Sequence, residues 1–170
     1  MSIHSEDPFA VPVEQRDPVR RLRGRLATPV TILTAGETRP AGLTVSSVLI
    51  VEGDPPRTAA LVGAGADLVD AVEETKRFLV QVLEAGNETV ADVFAGRRPS
   101  PGGMFRSVET QSTQWGPLLD GVENWAGCCL EEIRPLGDQL LIVGEIEDLH
   151  VGELDDPLVY FRGMYRRLRP

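Results

Sequence analysis

Histidine occurs only at His4 and His150, and no Gly-x-Ser-x-Gly is present, so a Ser-His-Asp hydrolase has almost nothing to build on. Cysteine is equally scarce. Cys128 and Cys129 are neighbours, a spacing that rarely meets disulfide geometry, and one bridge would not staple a secreted scaffold. On a strand they point to opposite sides, which argues against an ion shared with His150, so no metal site is assigned. They read as a buried thiol and its neighbour. No apolar run is long enough to span a bilayer, and residues 1–12 lack the basic-then-apolar pattern of a secretory signal. The expectation is a cytoplasmic protein with no membrane role. Positive charge is the minority: 17 Lys+Arg against 26 Asp+Glu leave a formal net charge of −9, which repels phosphate backbones and argues against nucleic-acid binding.

What is present suits one soluble domain. With 170 residues, 42% of them hydrophobic and 25% charged, the chain can bury a proper core. Residues 1–15 read as a flexible arm and 16–170 as the domain. The arginines are segregated: Arg16, Arg20, Arg21, Arg23 and Arg25 crowd one end, and Arg162, Arg166, Arg167 and Arg169 the other.

The chain is organised around Gly42 to Pro56, read as one strand that opens with glycine, carries Thr44, Ser46 and Ser47 where a core strand has apolar residues, and stops at Asp54-Pro55-Pro56. Small hydroxyls beside glycine let a backbone approach a flat ligand and offer it hydrogen bonds. Before it, Asp17 and Pro18 predict the start of a helix that lays Val19, Leu22 and Leu26 on the body, and residues 29–34 predict a strand in hairpin with the organising one. After it come a strand over 57–63, a helix capped by Asp67 with Leu68, Ala71, Val72 and Thr75 on one face, a strand over 78–83, and a helix from Asn87 to Gly96. Residues 97–117 read as a long irregular binding loop in which Phe105 could cover a flat ligand. Strands then follow over 122–133, 139–151 and 157–168, with Leu140, Ile142, Gly144, Ile146, Asp148 and His150 on one face of the second. Many short strands with few helices predict a barrel.

The turn from Gly63 to Asp67 lies between strand and helix, where amides can cradle a phosphate. It fails the dinucleotide fingerprint, because Leu68 stands where the last glycine is needed. Glu145 and Glu147 share a face but read as a solvated sheet surface. No catalytic side chains emerge, and an enzyme without them borrows its reactivity from a cofactor.

Taken in order, residues 29–34, Gly42 to Ser47, Asp54-Pro55-Pro56, 78–83, Gly116 to Leu119, Trp125, Cys128, Gly137-Asp138, Val143 to Glu145 and Tyr160 to Tyr165 together resemble the flavin reductase-like family of FMN-binding split barrels. The resemblance covers about residues 19–168. It implies a mainly β, six-stranded Greek-key split barrel with a few short helices, paired as a homodimer, binding FMN (or FAD) and using NAD(P)H as reductant, with a monooxygenase as partner. It also implies that Thr44, Val45, Ser46 and Ser47 address the flavin ring and ribityl chain, and that Ala64, Gly65, Ala66 and Asp67 form the phosphate loop. The chain departs from the family at that loop, which holds alanines and an acid in place of a cation and hydroxyls, at Glu52 in place of serine, and at Gln139 in place of histidine. Two readings follow from different classes: an NAD(P)H-dependent flavin oxidoreductase, and a non-catalytic flavin-binding or degenerate dimer serving as a carrier or partner-binding module.

Overall fold

Strands dominate the chain in a computed structural model that describes residues 17–168. The arm expected over residues 1–15 lies outside the described residues, as do Arg16 and Arg169. In chain order the elements are α1 (Pro18–Arg23), β1 (Thr28–Pro29), β2 (Thr31–Ala35), β3 (Ala41–Val45), β4 (Val48–Val51), β5 (Arg57–Gly63), α2 (Asp67–Thr75), β6 (Arg77–Val82), α3 (Glu88–Phe94), β7 (Thr110–Thr113), β8 (Gly116–Leu119), β9 (Trp125–Leu136), β10 (Gln139–His150), β11 (Val159–Phe161) and β12 (Met164–Arg166).

The main sheet is antiparallel in the order β3-β2-β6-β9-β10-β5-β4. Its two outer members, β3 and β4, are one stretch of chain. The strand expected from Gly42 onward is therefore not straight: it bends at Ser46 and Ser47, pairing with β2 before the bend and with β5 after it. Carrying one strand round a corner lets a single stretch of chain serve both margins of a twisted sheet. Counted as one bent strand, β3 and β4 complete six strands.

Two apolar clusters result. Inside the barrel, Leu33, Val45, Val62, Phe78 and Ile142 meet Leu68, Val69, Ala71 and Val72 of α2. Outside, Val30 and Ile32 meet Leu83, Phe94, Leu119 and Leu158, with Phe105, Tyr160 and Tyr165 packed alongside. Each such side chain stabilises the fold by about 1.5–3 kcal/mol when fully buried. Because β2 lies between the clusters, all five of its residues are buried. Its polar members are satisfied: Thr34 Oγ1 donates to the Pro117 carbonyl at 2.7 Å. The buried Gln81 amide donates to Thr34 Oγ1 at 3.1 Å and accepts from the Leu119 amide at 2.7 Å. This network pins β8 across β2 and β6.

Several local expectations are corrected. Helix α1 starts where expected, its Asp17 carboxylate accepting from the Val19 amide at 2.7 Å, but Val19, Leu22 and Leu26 are 72%, 68% and 62% exposed rather than packed on the body. In α2 the cap is Ala66, with no side-chain bond, and Asp67 is the first helical residue. Part of the stretch over 97–117 is ordered as the β7–β8 hairpin. The expected face of β10 holds from Leu140 to Ile146 and then ends, because Glu147 is an extra residue in the pairing with β9; a bulge of this kind re-aims every side chain after it. The last strand is a hairpin instead, β11 with β12, turned by Arg162 and Gly163 at φ 52° and 83°, the double left-handed geometry of a two-residue loop matched to strand twist.

Candidate functional site

Strand β3 has an inward and an outward face. Ala41, Leu43 and Val45 pack with the barrel core, while Gly42 and Thr44 look outward to α3. Thr44 Oγ1 donates to the Ala91 carbonyl at 2.7 Å, which ties α3 to the strand. Gly42 leaves its backbone bare. A Cβ there would lie 2.4 Å from Phe94 and 3.3 Å from Phe105, so both rings rest directly on the strand. They meet each other edge to face at 5.2 Å and 88°, the arrangement aromatic quadrupoles favour.

Phe105 reaches this position on a 3₁₀ turn, Met104–Arg106, entered through Gly102 and Gly103 at φ 86° and 103°. The segment is closed on itself: Ser100 Oγ donates to the Gly103 carbonyl at 2.8 Å, and Ser107 Oγ to the Met104 carbonyl at 2.9 Å. Its root is also held. Arg97 lies 5.0 Å over the Tyr160 ring and 3.7 Å from Asp92, and Tyr165 donates to Asp92 at 2.7 Å. Burial, and then the bond to Asp92, push the Tyr165 phenol well above its ordinary range.

Between β3, α2, the end of α3 and this turn lies a cleft of about 980 Å³, a size suited to a flat organic ligand. Its walls are apolar at Leu43, Leu68, Phe94, Met104 and Phe105 and charged along α2. Asp67, Asp70 and Glu74 follow one another at helical spacing on that wall. Arg39 pairs with Glu74 at 3.7 Å, and the Arg106 guanidinium has no partner among the described residues. No histidine, cysteine or lysine lines the cleft among the described residues.

Of the residues singled out in the sequence, Gly65, Ala66, Asp67 and Phe105 come together in this cleft. Ala64 lies in the same turn, which the Ala66 amide closes on the Gly63 carbonyl at 3.1 Å. Val45 is 4% exposed and faces the core, its carbonyl accepting from Thr31 Oγ1 at 2.6 Å. Ser46 and Ser47 sit half-buried in the bend, and their hydroxyls have no partner among the described residues. Arg39, Asp70, Glu74, Met104 and Arg106 were not singled out; the acids were legible in their spacing, the others only through contacts distant in sequence. Neither Glu52 nor Gln139 lines the cleft, and none of the α1 arginines does.

The scarce reactive residues lie elsewhere. Cys128 is fully buried, and burial, aided by Glu147, pushes its thiol up to about 12. His150 stacks on Trp125 at 6.5 Å. Glu145 stands opposite Arg57 in the sheet, whereas Glu147 accepts from Trp115 Nε1 at 2.7 Å, so the two carboxylates serve different partners. No cluster of three metal-ligating side chains exists among the described residues. No helix among them is long and apolar enough to cross a membrane.

Comparison with known proteins agrees with this geometry. The flavin reductase like domain matches residues 23–169. The NADH-dependent FAD reductase of Streptomyces globisporus is 30% identical over 170 residues, covering 95% of this chain and 93% of its own. The reductase component of 4-hydroxyphenylacetate 3-monooxygenase from Thermus thermophilus is 33% identical over 146 residues, covering 85% of this chain and 91% of its own. Among solved structures, the NADH:FAD oxidoreductase of Streptomyces globisporus in complex with NAD and FAD fragments superposes with a TM-score of 0.83 at 28% identity, covering 95% of this chain and 97% of its own. From cleft to barrel, this chain belongs to the flavin reductase-like family and is a flavin reductase-like oxidoreductase.

Proposed function

We propose that this chain is an NADH-dependent flavin reductase whose cleft beside β3 holds the flavin, and that it supplies reduced flavin to a monooxygenase. The observation that carries the reading is the cleft of about 980 Å³ beside β3, walled by Leu43, Leu68, Phe94, Met104 and Phe105, with both rings seated on Gly42. A bound flavin supplies hydride acceptance from a reduced nicotinamide, chemistry that side chains do not possess. The residues position rather than react. Phe105 covers the ring, Leu43 and Leu68 keep water from it, and Gly65, Ala66 and Asp67 run beside its ribityl end, with Ala64 in the same turn. Thr44 and Val45 hold the strand that carries Gly42 and Leu43, and Ser46 and Ser47 lie in the bend beyond the cleft's lining. The Streptomyces and Thermus relatives support the nicotinamide, the flavin and the oxygenase partner.

Titration with FMN, followed by NADH without oxygen, tests this. Saturable binding and bleaching of the flavin band faster than in free FMN are expected. Binding without faster bleaching would remove the reductase reading.

We also infer a homodimer. Leu49, Ile50 and Val51 of β4 are 68%, 59% and 48% exposed in a row, on a strand whose only partner in the sheet among the described residues is β5. A margin so apolar is a liability unless covered, and a second copy of the chain covers it. Sedimentation equilibrium should give twice the chain mass; the mass of one chain at micromolar concentration would exclude the dimer.

A further inference from the structure

Resting on the assignment of the cleft to a flavin, we propose that it selects the flavin by ring and ribityl chain and gives the phosphate no advantage, so that riboflavin binds at least as tightly as FMN. The turn at the ribityl end carries no hydroxyl and no cation: Gly63, Ala64, Gly65 and Ala66 offer amides alone, and the cap of α2 makes no side-chain bond. A helix start can draw an anion when its dipole is uncompensated. Here Asp67 and Asp70 already compensate it, both exposed and neither with a partner among the described residues. A phosphomonoester, carrying about −1.5 to −2 at pH 7, would meet two free carboxylates. Arg39 is engaged with Glu74, and Arg106 is carried by the turn across the cleft rather than by the helix wall.

The same carboxylates suit a different chemistry. Ionised Asp is purely a hydrogen-bond acceptor, and a ribityl chain presents hydroxyl donors to it. A wall of acceptors therefore rewards the neutral polyol that ends riboflavin and repels the charged group that ends FMN. The residues fit the ring and the polyol and do not fit the phosphate.

The test is to measure the Kd of riboflavin and of FMN by flavin fluorescence at low and moderate salt, for the natural chain and for Asp67→Ser/Asp70→Asn. In the natural chain, riboflavin should bind as tightly as FMN or tighter, within about threefold to tenfold, and salt should strengthen FMN by screening the repulsion. The double variant should strengthen FMN by about tenfold without strengthening riboflavin. FMN binding tighter than riboflavin, or weakening as salt rises, would overturn the proposal while leaving the flavin reading intact. An FMN affinity unchanged in the double variant would also overturn it. Binding of neither flavin would overturn the cleft assignment and this inference together.

Discussion

Gly42→Ala is expected to weaken flavin binding by at least about tenfold, equivalent to about 1.4 kcal/mol, because the new methyl displaces the rings that wall the cleft. Its Cβ would lie 2.4 Å and 2.6 Å from two atoms of the Phe94 ring and 3.3 Å from Phe105. Phe94 is 1% exposed and has nowhere to retreat, so the displacement passes outward to Phe105 and the turn that carries it. Overpacking a tight contact costs about 1–3 kcal/mol of stability, so binding must be read against thermal unfolding. Phe105→Ala separates the two effects. It removes the cover while leaving Phe94 seated, and should weaken flavin by about tenfold with a smaller loss of stability. Wild-type flavin affinity in both variants would mean that the cleft these rings wall is not the flavin site.

The second large effect is on the fold. Gly127→Ala should destabilise the chain by about 3–5 kcal/mol, the sum of an overpacked ring and a broken charged hydrogen bond. The added Cβ would stand 2.3–2.6 Å from three atoms of the Trp115 indole. That ring is 8% exposed, lies 6.0 Å from Trp125, and donates Nε1 to Glu147 at 2.7 Å. Glu147 is also 3.4 Å from Arg77, whose buried Nε has no hydrogen-bond partner among the described residues. Moving the indole strips one of the groups that hold Glu147 at the bulge. For a domain of this size each kcal/mol shifts Tm by about 2–4 °C, so a fall of roughly 6–20 °C is expected. A loss below about 1 kcal/mol would show that Trp115 repacks freely.

Much of the chain was legible locally. Strand β5 runs from Arg57 to Gly63, the limits its Pro-Pro start and Gly-Ala-Gly end dictate, and β6 lies within one residue of its expected place. Proline and glycine punctuate the backbone through their own dihedral limits, which need no tertiary partner. Leu68, Ala71 and Val72 of the face expected for α2 are buried, since i, i+3, i+4 spacing is a property of the helix itself, whereas Thr75 at its end is exposed. The exposed stripe of α1 shows where such reasoning stops. Val19, Leu22 and Leu26 have the spacing of a packed face, yet whether anything packs there depends on what other elements leave uncovered.

The candidate site divides along the same line. Phe105, Gly65, Ala66 and Asp67 stood out in the sequence because glycine-rich turns and an isolated aromatic in a loop are local patterns. That they share one cleft with Phe94 and Gly42 comes from the barrel, which brings residues more than sixty positions apart onto one face of β3.

By itself the sequence determined a mainly β domain, the placing of most strands and helices and, through residues 29–165, the family. The tertiary structure decided the bend at Ser46 and Ser47, the bulge at Glu147 and the meeting of Phe94 with Phe105 over Gly42. The reason is physical. Propensity and period act between neighbours in the chain, whereas closure, register and the shape of a cleft are set by which distant surfaces must be buried together.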